Sequence, residues 1–543
     1  MRESECWLGL IQKMKWLGKF WPFAGLATVL FALSSFAQPP LQIAITNGSA
    51  TVSWPYSESY NTLQTATNLG PSAQWSGAAP TYFGGGNVSF PVTNFPQFFR
   101  LNQSWPIFQF NVFYNLNLEM DFGNTENFLG SVYSSQGIWA GTANVTFESM
   151  VAAAGQVYDQ KTDTANDDPW CTGKSDTGTP AANFLYKGAP FSNVELLTLP
   201  IGTNSAEGII NLPPPGEGAP NPYAYTSNGQ LYLYNEADLI ISNSPAGTNG
   251  TYGTNIIVLY QNATSAAILN PVTNDFYMLK TPAGYHTNVV NQPSGIDCFT
   301  NIKYQCYSFV TNVQFYDYRE SDAVQAVQLN VAAFNTWLTN SAINGGVSWN
   351  NQNFEDKGHG IDSIFIYNNA PMTTSQLPAV RLVNGWQMPY TTYNGVTNGG
   401  LTLVTPQPLY VKGNYNVQTF GSAPDASAGA NTTYTYPAAI MGDAITIISS
   451  NWNDSTYVSG YALGSRTPAT TTINAATFQG IVQSTNGNYS GGLENSLRLL
   501  EDWGVQTLYY NGSIVVMFPS IYATNSWQPT GNYYNVPVRE WAF

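Results

Sequence analysis

The sequence predicts a mainly all-β protein: a small antiparallel β-sandwich followed by a β-solenoid-like (β-helix-like) body that carries a loop-rich insertion and a few short helices. Three observations lead there. Only 9% of the 543 residues are charged, against roughly 25% in ordinary globular chains. Yet 43% are hydrophobic and 14% aromatic, which a disordered chain would lack. Short β-prone bursts recur between Gly, Asn and Pro turns, while helical periodicity is scarce. At one folding unit per roughly 150 residues, the length allows two to four units. The formal charge is −15 with few Lys and Arg, so no basic stripe exists to neutralise phosphates, and nucleic-acid binding is excluded.

The chain opens with Arg2, Lys13, Lys15 and Lys19 against Glu3 and Glu5, followed by the apolar run Phe20–Ala37. That order is a secretory signal, with Ser35 and Ala37 as the small residues before a cleavage point at Gln38, and Pro39 and Pro40 ending any helix. The run sits at the short edge of a membrane span and contains Pro22, so cleavage is expected, with no transmembrane span afterwards and a secreted, extracellular or cell-surface location. Cleavage removes more basic than acidic residues and leaves the remaining chain more acidic still. Cys171, Cys298 and Cys306 remain. In an oxidising compartment Cys298 and Cys306 are close enough in sequence to bridge a short loop, leaving Cys171 over, and no zinc spacing is present.

Residues 38–103 are expected to form the sandwich. LQIAI, ATVSW, YNTLQTAT, AQWSG, NVSFPV and FFRLN alternate with period two and are punctuated every eight to twelve residues by NGS, PYSES, NLGPS and GGGN. Ser53-Trp54-Pro55, Leu63-Gln64, Thr67-Asn68-Leu69, Trp75 and Phe98-Phe99-Arg100-Leu101 resemble a short module that recurs in secreted proteins of Verrucomicrobia and Planctomycetes. The resemblance implies an accessory role, in display or sorting.

Residues 104–543 read as the body. LNLEM, SVYSS, GIWAG, NVTFES and QVY are short strands turning at Gly or Asn, as in the rungs of a solenoid, and the same texture returns at 400–518. Between them, at about 160–399, PPPGEGAPNP and many Asn-Gly turns predict a loop-rich insertion. Apolar spacing of three and four predicts helices over Leu329–Leu338 and over Leu493–Trp503, the latter stopped by Gly504.

Several stretches of the body carry a second resemblance: Phe113-Tyr114-Asn115, Gly130-Ser131-Val132-Tyr133-Ser134, Tyr316-Asp317-Tyr318-Arg319-Glu320, Arg381-Leu382-Val383-Asn384-Gly385, Tyr410–Asn416 and Gly512-Ser513-Ile514-Val515. In these the body is similar to secreted or envelope proteins of the same bacterial groups, related to the β-helical ectodomains of type IV pilus minor-pilin-like proteins. The resemblance implies a surface or pilus-associated structural role with no activity attached. The leader departs from the prepilin pattern: Gly18 is followed by Lys19, and Phe23 stands where that pattern has Glu.

Chemistry is sparse. His286 and His359 are the only histidines, and no nucleophile elbow, zinc-protease, C-x-x-C, phosphate-loop or dinucleotide motif occurs. Carboxylates remain, since glycoside cleavage needs two of them across a groove. The candidates are Asp317 and Glu320, with Asp322 beside Arg319, and Glu355, Asp356 and Asp362 around His359. The favoured reading is an ion-paired structural element for the first group and a solvated loop for the second. Asp163, Asp167 and Asp168 offer oxygen ligands of the kind Ca²⁺ takes but lack EF-hand order, so a plain acidic loop is preferred to calcium, and no other cofactor is implied. Trp139, Trp170, Trp386, Trp452 and Trp527 sit in turn-like contexts. They are either a strip for stacking sugars or, as favoured, core filling.

The sequence therefore leads to a secreted non-catalytic surface, structural or adhesion protein, with glycans or other envelope proteins as partners. The alternative is a secreted glycoside hydrolase or polysaccharide lyase using a carboxylate pair in a solenoid groove.

Overall fold

The structure, a computed structural model, describes residues 41–542 apart from intervening segments, of which the longest are 159–183, 198–204, 244–255, 262–268, 290–303, 340–360 and 418–431. Residues 1–40, among them the expected signal segment, and Asp163, Asp167, Asp168, Cys171, Cys298, Glu355, Asp356 and His359 lie outside the described residues. The chain divides into two compact units, residues 1–106 and 107–543.

In the first unit, Gln42–Thr46, Ser49–Trp54 and Gly86–Pro91 form one antiparallel sheet. Tyr60–Ala66 pairs antiparallel with Phe98–Ser104, Ser76–Gly77 and Tyr82–Phe83 in a second. Alternation sends Val52 and Trp54 from the first sheet and Leu63 from the second into one small core, joined by Val88, Phe90 and Phe99. Phe90 and Phe99 meet at 5.2 Å between ring centroids. Gly86, opposite Trp54 in the ladder, leaves room for the indole, because a Cβ there would lie 2.5 Å from the ring.

The second unit is a three-faced coil of short parallel strands. Its first rungs are Val112–Tyr114, Leu118–Met120 and Glu126–Phe128, then Val132–Ser134, Ile138–Ala140 and Val145–Phe147, then Val151–Ala153, Val157–Tyr158 and Phe184–Tyr186. Each strand pairs in parallel with the one a rung further on. The strands are short because polar corners turn the chain. Ser134, buried at one corner, donates its hydroxyl to the Leu116 and Gly137 carbonyls, while the Gly137 amide donates to Asn117 Oδ1.

The C-terminal rungs use the same three faces in the same order. On the first face lie Leu239–Asn243, Ser363–Tyr367, Leu401–Val404, Ala438–Gly442, Ala476–Ile481 and Ile514–Pro519. The second carries Asp322–Asn330, Gln376–Val383, Leu409–Lys412, Ile445–Ile448 and Leu497–Leu499. The third has Thr471–Asn474, Thr507–Asn511 and Val538–Ala542. Ile514–Pro519 then pairs in parallel with Val112–Tyr114. The coil thus runs along its axis from residue 239 to 519 and continues without a break from residue 112 to 191.

The third face continues across this seam as an aromatic ladder. Tyr510 meets Trp541, Trp541 stacks on Phe128, Phe128 on Phe147 and Phe147 on Tyr186, with centroids 5.2–6.4 Å apart. At the corner after that face Asn416, Asn474 and Asn511 form a buried amide ladder. Asn416 and Asn474 exchange side-chain-to-carbonyl hydrogen bonds, and Asn511 donates to Asn474 Oδ1. Unpaired corner carbonyls are thereby satisfied away from water.

Alternation on the first face produces two apolar rows. The inward one includes Leu239, Ile364, Leu403, Ile440, Ile514, Val112, Val132 and Val151. The outward one, in register from rung to rung, is Ile240, Phe365, Val404, Met441, Phe478, Val515, Phe113, Tyr133 and Ala152, all of them buried. The connection from residue 191 to 239 must return from one end of the coil to the other, and it passes this outward row. Tyr133 Oη accepts from the Leu197 amide at 2.8 Å, and Tyr234 meets Phe365 edge-on at 5.2 Å. The loop-like PPPGEGAPNP stretch is part of this strap.

Three expectations are corrected. The loop-rich insertion is narrower than 160–399, because Leu239–Asn243, Asp322–Asn330, Ser363–Tyr367 and Gln376–Val383 are coil strands. Leu329 lies within the strand Asp322–Asn330, and the helix is Val331–Thr339, capped by Asn330 Oδ1 accepting from the Ala333 amide. Its Val331, Phe334, Trp337 and Leu338 join the coil interior. Leu493–Trp503 is a short 3-10 turn followed by the strand Leu497–Leu499. Its leucines serve opposite sides, Leu497 and Leu499 the interior and Leu500 the outer cluster, which imitates helical spacing.

Candidate binding pocket on the second face

Asp317 ends the strand Val310–Asp317 and the turn to Asp322 closes on it. Its Oδ1 accepts from the Arg319 and Glu320 amides at 2.7 and 2.9 Å, and its Oδ2 from the Tyr410 hydroxyl at 2.6 Å. Ser321, with φ 60°, completes the turn. Glu320 is buried; Oε1 accepts from Arg498 at 2.6 Å and Oε2 from the Asn525 amide at 3.0 Å. Burial raises the Glu320 carboxyl above its ordinary range, with Arg498 opposing, and lowers Arg319 to about 9. All four carboxylate oxygens of Asp317 and Glu320 therefore hold internal donors. Asp362 is exposed at the start of a first-face strand, and its amide donates to Asp238 Oδ2 at 2.9 Å. Asp317 and Glu320, one cluster in the sequence, are joined in a buried network, and Asp362, from the other cluster, stands on another face.

The same use recurs elsewhere. Asp443 accepts from the amides of Ile521, Tyr522 and Ala523, and Glu501 accepts from the Ser449 amide and hydroxyl. Burial lifts the Glu501 carboxyl to about 7. Buried carboxylates in this coil anchor backbone that strand pairing leaves over.

A pocket of about 500 Å³ opens on the outside of the second face. Its floor is built by neighbouring rungs: Gln328 is in register with Arg381, and Val383 with Lys412. The Arg381 guanidinium is fixed from three sides. Nε donates to Gln328 at 2.8 Å, both Nη atoms bond Asp454 at 2.7 Å, and Phe315 lies beneath at 4.6 Å. Lys412 is half-buried beside it, and burial together with Arg381 lowers its ammonium pKa.

The pocket rim is shaped by two left-handed turns. Asn384 has φ 55° and Gly413 φ 77°. Gly385 rests against the buried Tyr415 ring, where a Cβ would approach to 2.4 Å. The Gly385 and Trp386 carbonyls accept from the amides of Asn416 and Val417 in the next rung at 2.7 and 2.8 Å. That lock places half-buried Trp386 as a wall of the pocket, with Asn414 and Ser450 completing the rim.

Of the weighed tryptophans, Trp452 is core, buried against Phe315, Tyr318 and Tyr457. Trp527 packs against the main core, Trp170 lies outside the described residues, and Trp386 lines the pocket. Sequence reasoning passes over Gln328, Asn384, Lys412 and Asn414 as site residues. The signal available was RLVNGW and YVKGNYN, two strand ends each carrying a basic outward residue, Arg381 or Lys412, shortly before an Asn-Gly or Gly-Asn turn.

Among the described residues no three His, Cys, Asp or Glu side chains are grouped to hold a metal, and no helix is long and apolar enough to cross a membrane. Compared with models of protein families, with curated proteins and with solved structures, the chain matches none.

Proposed function

We propose that this chain is a non-catalytic extracellular surface protein whose coil binds glycans through the second-face pocket, the small sandwich serving as an accessory module. Its setting is adhesion or envelope- and pilus-associated assembly. The observation that carries the reading is the make-up of the pocket. Its described lining supplies amide, hydroxyl and cationic donors around one tryptophan and contains neither Asp nor Glu. Sugars are held by such donors with an aromatic face. Cleaving them requires two carboxylates flanking the bond, and Asp317 and Glu320, nearest to that pattern in sequence, are internally bonded.

The test is co-sedimentation of the secreted chain with a panel of insoluble polysaccharides, scoring bound protein and new reducing ends in the same tubes. Binding without new ends is expected. New ends that disappear in Asp317→Asn would replace this reading with the polysaccharide-cleaving one.

A further inference from the structure

We infer that the second-face pocket selects saccharides carrying an anionic group, which pairs with Lys412 while the sugar ring lies against Trp386. The inference rests on the glycan-binding reading and adds the ligand's charge to it.

Two cations line the pocket, and they differ in what they have left to offer. The Arg381 fork is closed by Asp454 and Gln328. Lys412 is held on the next rung, and among the described residues no carboxylate lies within ion-pairing distance of its ammonium. Half-burial deprives that ammonium of part of its water and the adjacent Arg381 repels it, which the attraction of Asp454 and Glu501 offsets only in part. An anion entering the pocket relieves both effects, giving a charge-assisted hydrogen bond where a neutral hydroxyl gives only an ordinary one. The surroundings suit a sugar better than a bare ion. Amides from Asn384 and Asn414 stand at the rim, and a volume of about 500 Å³ exceeds what a small inorganic anion fills. Overall acidity does not oppose this, because screening confines charge effects to about 10 Å at ordinary ionic strength.

A carboxylate or a sulfate on the sugar would serve Lys412 equally, so the probes separate them. Affinities are measured for a β-linked oligoglucuronate, its sulfated oligoglucose counterpart and the neutral oligoglucose of the same length, using wild type, Lys412→Gln, Lys412→Arg and Trp386→Ala. Wild type is expected to bind at least one anionic probe about tenfold more tightly than the neutral one, and whichever binds better names the group. Lys412→Gln is expected to lose that preference, Lys412→Arg to retain it, and Trp386→Ala to weaken all three. Matched circular dichroism and melting curves establish that the variants are folded. Equal affinities in wild type, or a preference that survives Lys412→Gln, overturns the anionic selection and leaves glycan binding standing. Failure of wild type to bind any of the three, together with no co-sedimentation on the polysaccharide panel, overturns both.

Discussion

Val112 and Ile514, 402 residues apart, are register partners in neighbouring parallel strands. Beside them the Ile514 amide donates to the Asn111 carbonyl at 2.8 Å, and the Asn111 side chain donates to the Gly512 carbonyl. The rung that begins at Ile514 is therefore the support on which the rung of Val112 stacks. Both side chains are fully buried in one interior. The seam is the middle of the coil, and the loop-rich strap that carries the chain back along the outside lets strands distant in sequence meet there.

It follows that Ile514→Ala should destabilise the whole second unit. Truncating a buried Ile costs about 2–5 kcal/mol, and here the void opens between the two halves. Urea unfolding should show the midpoint falling with little change in slope. A variant that leaves the midpoint unchanged would mean the halves are stable without each other.

The strap should be held by Tyr133. Tyr133→Phe removes the acceptor for the Leu197 amide at about 1 kcal/mol. Limited proteolysis should cut the 194–238 region faster in the variant while leaving the rungs intact.

Breaking the Glu320–Arg498 pair should be costlier than removing it. Arg498 also donates to the Ala523 carbonyl, so Glu320→Leu leaves a buried guanidinium without its anion, a loss of about 3–5 kcal/mol. Combining Glu320→Leu with Arg498→Met should recover part of it in thermal melts. A double variant less stable than the sum of the singles would contradict the pairing account.

Stability should fall as the medium becomes less acidic. Burial raises Glu501 and Glu126 to about 7 in the folded chain, above the ordinary value near 4.3. Between those values the folded state keeps protons that the unfolded state has released, so the stabilisation is complete below about 4.3 and is lost as pH rises through 7. The expected change is on the order of 3 kcal/mol for each group. Melting temperatures from pH 5 to 8 should decline, and Glu501→Gln should flatten the curve.

How much of this could be read in the sequence depends on where the periods lie. First-face strands at Val112, Val132 and Val151 recur at a step of about 20 residues, short enough for the turn-and-burst texture to show rungs. The later ones, starting at Ser363, Leu401, Ala438, Ala476 and Ile514, recur at about 38 because outer loops are inserted between faces. That longer step hid the coil strands of the middle region. Asp317 and Glu320 were legible as a charged turn, but their partners were not: Asp317 accepts from the Tyr410 hydroxyl, Glu320 pairs with Arg498 far along the chain, and the Arg319 side chain donates to the Asn525 carbonyl. The pocket was not legible. Gln328, Arg381 and Lys412 are far apart in sequence and meet only through register, and Trp386 reads like any other turn tryptophan until the rung fixes it.

The most direct test of the account compares wild type with Trp386→Ala on the insoluble polysaccharide that wild type binds best, with reducing ends counted in the same tubes. The account predicts that wild type sediments and releases no new ends, while the folded variant stays in solution. Equal sedimentation of the two proteins, or new ends released by wild type, would contradict it.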